Sequence, residues 1–425
     1  MRLENLMFRT LVTAIAFCMI GSRAFAQVGT PGKFDWPQWQ GPDRTNISKE
    51  TGLLQAWPAD SPKLLWKIDG LGAGYSTPTV AAGRIFLMGN LEKIEYIFAR
   101  KEADGSPLWR YAVGPERSNG GGYPGPRCSP LIDGNRLYAL GLNGDLVCLD
   151  IANGVPVWRR DLRKEFNGSP GGWGHTESPL LDGDKIIVTP GGKKATIVAL
   201  KKTTGDTIWT AQVPEGDAAG YSSVIVANIY GVRQYIQFMQ RGIVSIDANT
   251  GRFLWRHNGA ANGTANISTP IAQGDLVFSA SAYGKGGSLA KITREAGKWT
   301  AKEVYFTANM QNHHGGMIYL DGYLYGNNGG KLACLDYKTG KVQWQSNAPG
   351  KGSITYADGH LYYRAEGGRG VVTLVEATPK AYIEKGRFEQ PDRSNRNSWA
   401  HPVVANGRLF LADQDILLCY DVKKR

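Results

Sequence analysis

Asp336-Tyr337-Lys338-Thr339-Gly340-Lys341-Val342-Gln343-Trp344 repeats the pattern of Asp247-Ala248-Asn249-Thr250-Gly251-Arg252-Phe253-Leu254-Trp255. Each stretch is a polar turn closed by a Gly, with a Trp four residues further on. The same spacing recurs at Gly105/Trp109, Gly154/Trp158 and Gly205/Trp209. With 55 Gly and 12 Trp among 425 residues, chance placement accounts for fewer than half of these pairs. Once Trp66 and Trp299 are added, successive Trp intervals are 43, 49, 51, 46, 44 and 45 residues. That is the length of a four-stranded propeller blade rather than of a helical repeat.

Working outward from the motif, each unit follows one order. A lead-in often ending in Ser/Thr-Pro precedes a first strand, a tight turn such as Asp133-Gly134, Asp182-Gly183 or Asn406-Gly407 follows, and an apolar strand then runs to a Gly-rich turn. A third strand ends in Asp, and the Gly/Trp pair opens the fourth. The tight turns have the residues that a hairpin with positive φ requires. Units fall at 75–110, 127–160, 175–210, 221–256, 266–305, 313–345, 351–388 and 398–422. The expected fold is all-β, an eight-bladed propeller with four-stranded antiparallel blades. The fifth unit is irregular at Trp299, the seventh has Ala377-Thr378-Pro379 and Phe388 in place of the pair, and the eighth stops at Asp421 without an outer strand. Lys63-Leu64-Leu65-Trp66 is the expected closing strand, which removes free sheet edges.

Residues 1–26 read as a secretory leader: Arg2 and Arg9, an apolar run from Leu11 to Ile20, then Ala24-Phe25-Ala26 before the cut. The expectation is an exported chain of the periplasm or cell envelope. Cys18 follows the bulky Phe17, which argues against lipid attachment, and no later stretch is a membrane span. Loss of Arg2, Glu4, Arg9 and Arg23 with the leader takes the formal charge from +12 to +10. The surplus suits an anionic ligand or surface, but its scattered distribution argues against nucleic acid. Cys148, Cys334 and Cys419 each stand two residues before an Asp, one small buried strand position in separate blades, and Cys128 lies two strands from Cys148. Four free thiols are expected. Residues 27–59, with Trp36-Pro37-Gln38-Trp39, lie outside the repeats and read as a strap packed on the propeller of residues 60–425, a carbohydrate-stacking role being the alternative.

The repeat Asp-x-x-Thr-Gly-x-x-x-Trp resembles the tryptophan-docking motif of the quinoprotein, or pyrroloquinoline quinone (PQQ)-like, eight-bladed propellers, over about residues 60–425. The resemblance implies the fold. For function it implies either of two classes, because that superfamily holds PQQ-dependent alcohol dehydrogenases and the non-enzymatic outer-membrane-assembly scaffold BamB. Trp36-Pro37-Gln38-Trp39, Asn312-His313-His314-Gly315-Gly316 and Trp399-Ala400-His401-Pro402 resemble a planctomycete-type group of exported PQQ-like proteins, labelled BamB-like or polyvinyl-alcohol-dehydrogenase-like. The adjacent Cys pair of methanol-dehydrogenase-type enzymes and the haem-binding Cys-x-x-Cys-His are both absent from this sequence. The lipid-attachment motif of BamB is missing too. The implied function is a ligand- or protein-binding scaffold of the envelope, a monomer whose partners are envelope proteins or a small anionic or polar ligand. The alternative is a PQQ-dependent alcohol dehydrogenase using Ca²⁺ and an external electron acceptor.

Chemistry in a propeller gathers where the lead-ins to the innermost strands converge on the axis. Those segments carry His175, Glu177, His313, His314 and His401, the candidate catalytic set, beside Arg127, Tyr75, Tyr221, Asn266, Asn312 and Trp399. Neighbouring Gly-rich turns carry Lys193, Lys194 and Arg369, which with Arg127 and Trp399 form the candidate cofactor-binding set. Solvated caps of a water-filled channel are the competing reading. No metal site is expected, because adjacent His313 and His314 on an extended segment would point to opposite sides. His257 and His360 are expected in solvent-facing turns.

Overall fold

The docking motif explains itself in three dimensions. The Asp247 and Asp336 carboxylates accept hydrogen bonds from the backbone N–H groups two and three residues on, at 2.9 and 2.9 Å and at 3.1 and 2.8 Å, which fixes the turn. The chain then needs positive φ, +73° at Gly251 and +70° at Gly340. Only Gly also leaves room for a ring above it: a Cβ on Gly251 would lie 2.8 Å from Trp209, the docking Trp of the preceding blade. Trp66, Trp109 and Trp158 cover Gly105, Gly154 and Gly205 in the same way. Trp109 and Trp158 also donate from the indole N–H to the next blade's Ile151 and Lys202 carbonyls, at 3.0 and 2.9 Å. The Gly-to-Trp spacing is therefore a blade-to-blade joint.

The computed structural model describes residues 32–117, 122–314, 316–347 and 349–425. The expected leader at 1–26 lies outside the described residues. Eight four-stranded antiparallel sheets form the ring, and one helix, Leu162–Phe166, is the only α-helix among the described residues. The first blade comprises Thr79–Ala81, Arg84–Leu91, Ile94–Lys101 and Pro107–Pro115. The eighth comprises Val403–Ala405, Arg408–Asp413, Ile416–Asp421 and, as its outer strand, Lys63–Ile68, with Trp66 opposite Cys419. The first strand of the chain thus closes the ring on the last. No helix among the described residues is long and apolar enough to cross a membrane. Cys128, Cys148, Cys334 and Cys419 are buried free thiols.

Blades five and seven depart from the motif in ways that the Trp count hides. In blade five, Tyr305 rather than Trp299 takes the docking register, opposite Leu289, and covers Gly340. Trp299 instead sits at the end of the long hairpin Gly286–Glu295/Lys298–Thr307, opposite Arg294. Blade seven has no Trp of its own in this position. The N-terminal strap supplies it: Trp57 is 7% exposed, lies edge-on to Tyr362 and Phe388 at 5.4 and 5.9 Å, and packs on Gly386.

The rest of the strap crosses the central opening. Trp36 bridges Val80 in blade one, the Pro37 carbonyl accepts from Ile132 in blade two at 2.8 Å, and buried Arg44 donates to the Ser178 and Pro179 carbonyls ahead of blade three. Trp39 donates to Thr269 Oγ1 at 3.1 Å ahead of blade five, and Ile47 pairs with Tyr356 in blade seven. A cavity of about 190 Å³ opens on one side of Trp39. A second space, of about 340 Å³, is lined by strap residues Gln38 to Thr45 and the inner strands. The strap stands between them, so the axis is a blind cavity rather than an open channel. His257 and His360 are not solvent-facing: His257 Nε2 lies 2.8 Å from Ser288 Oγ, and buried His360 Nδ1 lies 2.9 Å from the Asp358 carbonyl.

Candidate functional site

Every blade sends one lead-in to the cavity. Tyr75, Arg127, Thr176, Tyr221, Ile267, His314, Lys351 and Trp399 come from blades one to eight in turn, with Trp39 of the strap among the lining residues. Short polar side chains stitch successive lead-ins together and fix these positions. Ser76 Oγ donates to the Cys128 carbonyl at 2.7 Å, Ser129 N–H to Ser178 Oγ at 2.9 Å and Ser178 N–H to Ser223 Oγ at 2.9 Å. The ring continues from Ser268 Oγ to Asn312 and closes with His401 N–H on Thr77 Oγ1 at 2.9 Å. Asn266 and Asn312 belong to this bracing: both are buried and spend their side-chain N–H groups on backbone carbonyls.

The wall is aromatic and cationic. Trp399 is sandwiched between His314 (4.1 Å, 14°) and Tyr75 (4.1 Å, 23°), with Tyr123 at 5.0 Å. Trp173 meets Tyr221 edge-on at 5.4 Å. Arg127 lies 5.2 Å over the Tyr75 ring and donates to the Gly125 and Tyr123 carbonyls at 2.7 and 2.8 Å. It has no carboxylate within ion-pair distance among the described residues, and burial pulls its guanidinium down to about 10. Lys351 does have a partner, Glu366 at 3.1 Å.

The two adjacent histidines share one side, contrary to the extended-segment expectation. Residues 311–314 form an irregular bend rather than a strand, so the period-two rule does not apply, and the ring centroids are 3.8 Å apart. His313 Nε2 meets Tyr283 Oη at 2.8 Å, while its Nδ1 is buried with no partner. His314 Nδ1 lies 3.1 Å from Glu366 Oε2, without the alignment of a hydrogen bond. Burial, with the influence of His314 and Lys351, pushes His313 to about 3, and burial outweighs Glu366 to bring His314 to about 4. Both imidazoles are therefore neutral at pH 7. Burial raises Glu366, but its neighbours His314 and Lys351 prevail and hold it at about 2.

The remaining candidates lie elsewhere. Buried His401 sits behind Trp39 (4.5 Å), with Nδ1 3.0 Å from the Asn46 side chain and Nε2 3.3 Å from the His314 carbonyl, so it props the wall. Glu177 is withdrawn into the wall, where Thr189 and Gln237 donate to it and burial pushes it up to about 7. His175 is 1% exposed and packed on Gly144, and burial followed by Arg163 and Arg117 lowers it to about 4. Lys193 lines a separate groove with Gln212, Glu215 and Phe253, its neighbour Gly192 bridges Asp217, and neither Lys193 nor Lys194 lines the cavity. Arg369 is an exposed partner of Glu389. Lys351, Glu366, Trp173 and Tyr283 carried no expectation from the sequence, and Trp39, expected in the strap, was not placed at the cavity. Lys351 opens a first strand like the other lead-in residues, and Glu366 stands directly before Gly367-Gly368, so both carried a positional signal.

Comparison with known proteins agrees with this architecture. The structure is similar to quinohemoprotein alcohol dehydrogenase from Comamonas testosteroni (TM-score 0.65, 13% identity, 94% of this chain and 82% of that one). It is also similar to BamB from Moraxella catarrhalis (TM-score 0.55, 17% identity, 79% and 95%) and to a europium-containing methanol dehydrogenase (TM-score 0.51, 11% identity, 91% and 89%). At these identities the likeness is one of fold. No curated protein matches the sequence at a significant level. A family model described as outer membrane protein assembly factor BamB matches residues 92–346. With its eight blades and their docking motif, the chain belongs to this BamB family of PQQ-repeat propellers.

Proposed function

We propose that the protein is an exported binding propeller of the cell envelope that takes a small, planar, anionic ligand into the blind cavity. The observation that carries this reading is Arg127: a partly buried cation beside Tyr75, without a carboxylate partner among the described residues, on the wall of a cavity lined with Trp and Tyr. A cation drawn partly out of water gains from a counter-charge, and an incoming carboxylate would pair with it through charge-assisted hydrogen bonds. Flat aromatic faces favour a flat ligand. Trp39 at the base would exclude bulk water and strengthen that pairing.

Calcium–quinone chemistry fits these residues poorly. Ca²⁺ takes about six to eight oxygen ligands, whereas the carboxylate beside the cavity, Glu366, is paired with Lys351 and flanked by two imidazoles. No redox step is therefore assigned, and the binding reading stands ahead of the dehydrogenase one. PQQ itself, a flat aromatic tricarboxylate, is a suitable probe of ligand class. Titrated into the mature protein, it should quench tryptophan fluorescence with micromolar affinity, with or without Ca²⁺. Arg127→Met should weaken it about tenfold or more, in keeping with about 1.5–3 kcal/mol for a charged hydrogen bond. Strict dependence on Ca²⁺ would favour the dehydrogenase reading instead.

A further inference from the structure

We propose that His313, His314 and Glu366 form a binding centre for a zinc-like divalent transition-metal ion at the edge of the cavity, with one coordination position open to the interior. Each residue offers a donor atom, and the three atoms lie within 4.8 Å of one another. Zinc holds nitrogen and oxygen ligands at about 2.0–2.2 Å in a tetrahedron, which sets the ligands about 3.3 Å apart. The 3.1 Å between His314 Nδ1 and Glu366 Oε2 is already close to that spacing. The third donor, on His313, lies within 4.8 Å of the other two.

Two atoms of the cluster lack the partner that burial ordinarily requires. His313 Nδ1 and Glu366 Oε2 are both inaccessible to solvent, and neither has a hydrogen bond. A cation between them would satisfy both at once. The surroundings hold the ligands as metal ligands are usually held. Tyr283 Oη, 2.8 Å from His313 Nε2, can take its N–H and leave Nδ1 with a lone pair. Lys351 engages Oε1 of Glu366 and leaves Oε2 for the ion. Trp399 stacks flat on His314 and prevents it from turning, while Gly316, with φ +106°, lets the backbone pass close to His401. Two imidazoles and one carboxylate suit zinc, copper, nickel or iron rather than calcium. Three protein ligands leave room for a water or an anionic group of a bound molecule. The assignment does not depend on what the cavity binds.

The test uses untagged mature protein freed of metal with a chelator. Co²⁺ should bind at one equivalent and give the visible bands of a site with nitrogen ligands, Zn²⁺ should displace it, and Zn²⁺ should raise the melting temperature. His313→Ala and Glu366→Gln should each weaken Zn²⁺ binding about 100-fold, and Tyr283→Phe about tenfold, while His175→Ala leaves it unchanged. The Co²⁺ spectrum and stoichiometry are read on the wild-type chain, so they decide the matter even if a variant fails to fold. Absence of stoichiometric Co²⁺ or Zn²⁺ binding by the wild type would overturn the proposal, as would binding unaltered in both the His313 and Glu366 variants.

Discussion

Replacing Trp57 with Ala tests whether the strap completes the propeller or merely lies on it. The indole is almost fully buried between Tyr362 and Phe388, and its N–H has no partner. Its contribution is therefore packing rather than hydrogen bonding. Removing a buried Trp side chain costs about 3–5 kcal/mol, depending on how far the site collapses. Collapse is restricted here, because Tyr362 and Phe388 belong to the sheet of blade seven and the strap is tied on both sides, by the backbone N–H of Leu53 on the Asp358 carboxylate at 2.8 Å and the backbone N–H of Trp57 on the Lys385 carbonyl at 2.9 Å. The expected loss lies in the upper half of the range, and Trp57→Phe should recover more than half of it. Urea unfolding followed by far-ultraviolet circular dichroism measures the difference, with Val155→Ala as an exposed control. A loss below about 1 kcal/mol, the level of surface substitutions, would refute the idea that the strap supplies the docking ring of blade seven.

Further outcomes follow from the same structure. Burial pushes Glu95 up to about 8, so its folded form holds a proton that the unfolded chain releases above about 4.5, and its contribution to stability is lost as pH rises through about 8. Glu95→Gln should therefore gain stability relative to the wild type across that window, read from melting curves at several pH values; an unchanged difference would contradict the burial argument. Denatured, unreduced protein of residues 27–425 should react with four equivalents of a thiol reagent, whereas the same protein in its native state, with all four thiols buried, should be nearly silent. Trp39→Ala removes the cavity base and a 3.1 Å hydrogen bond to Thr269, so it should cost about 2–3 kcal/mol in urea unfolding and weaken any cavity ligand. Lys193→Ala, Lys194→Ala and Arg369→Ala should leave ligand titrations unchanged.

The fold was legible because the joint between blades is written locally. An Asp-bounded turn, a Gly that must leave room for a ring, and the Trp that covers the next Gly all fall within nine residues, and repetition made them visible. Substituted joints were not legible, since Tyr305 replaces Trp at one joint and Trp57 arrives at another from some 300 residues away. At the cavity, the convergence of lead-ins follows from topology, which is why His313, His314, Arg127, Trp399, Tyr75 and Tyr221 meet there. Which way each side chain turns is set by the stitching bonds and by irregular backbone. Glu177 and His401 consequently turn into the wall, the two adjacent histidines share a side, and Lys351 and Glu366 supply charge that the basic turns do not. The blind end of the cavity comes from the strap, whose path no repeat register encodes.

The central claim is that Arg127 and the aromatic wall make a binding site rather than a solvated cap. Calorimetric titration of PQQ into protein of residues 27–425, in chelator and again in Ca²⁺, tests it most directly when run beside Arg127→Met. The account predicts micromolar binding at one equivalent, indifferent to Ca²⁺ and weakened about tenfold or more by the substitution. No heat at millimolar ligand, or binding untouched by loss of Arg127, would contradict it.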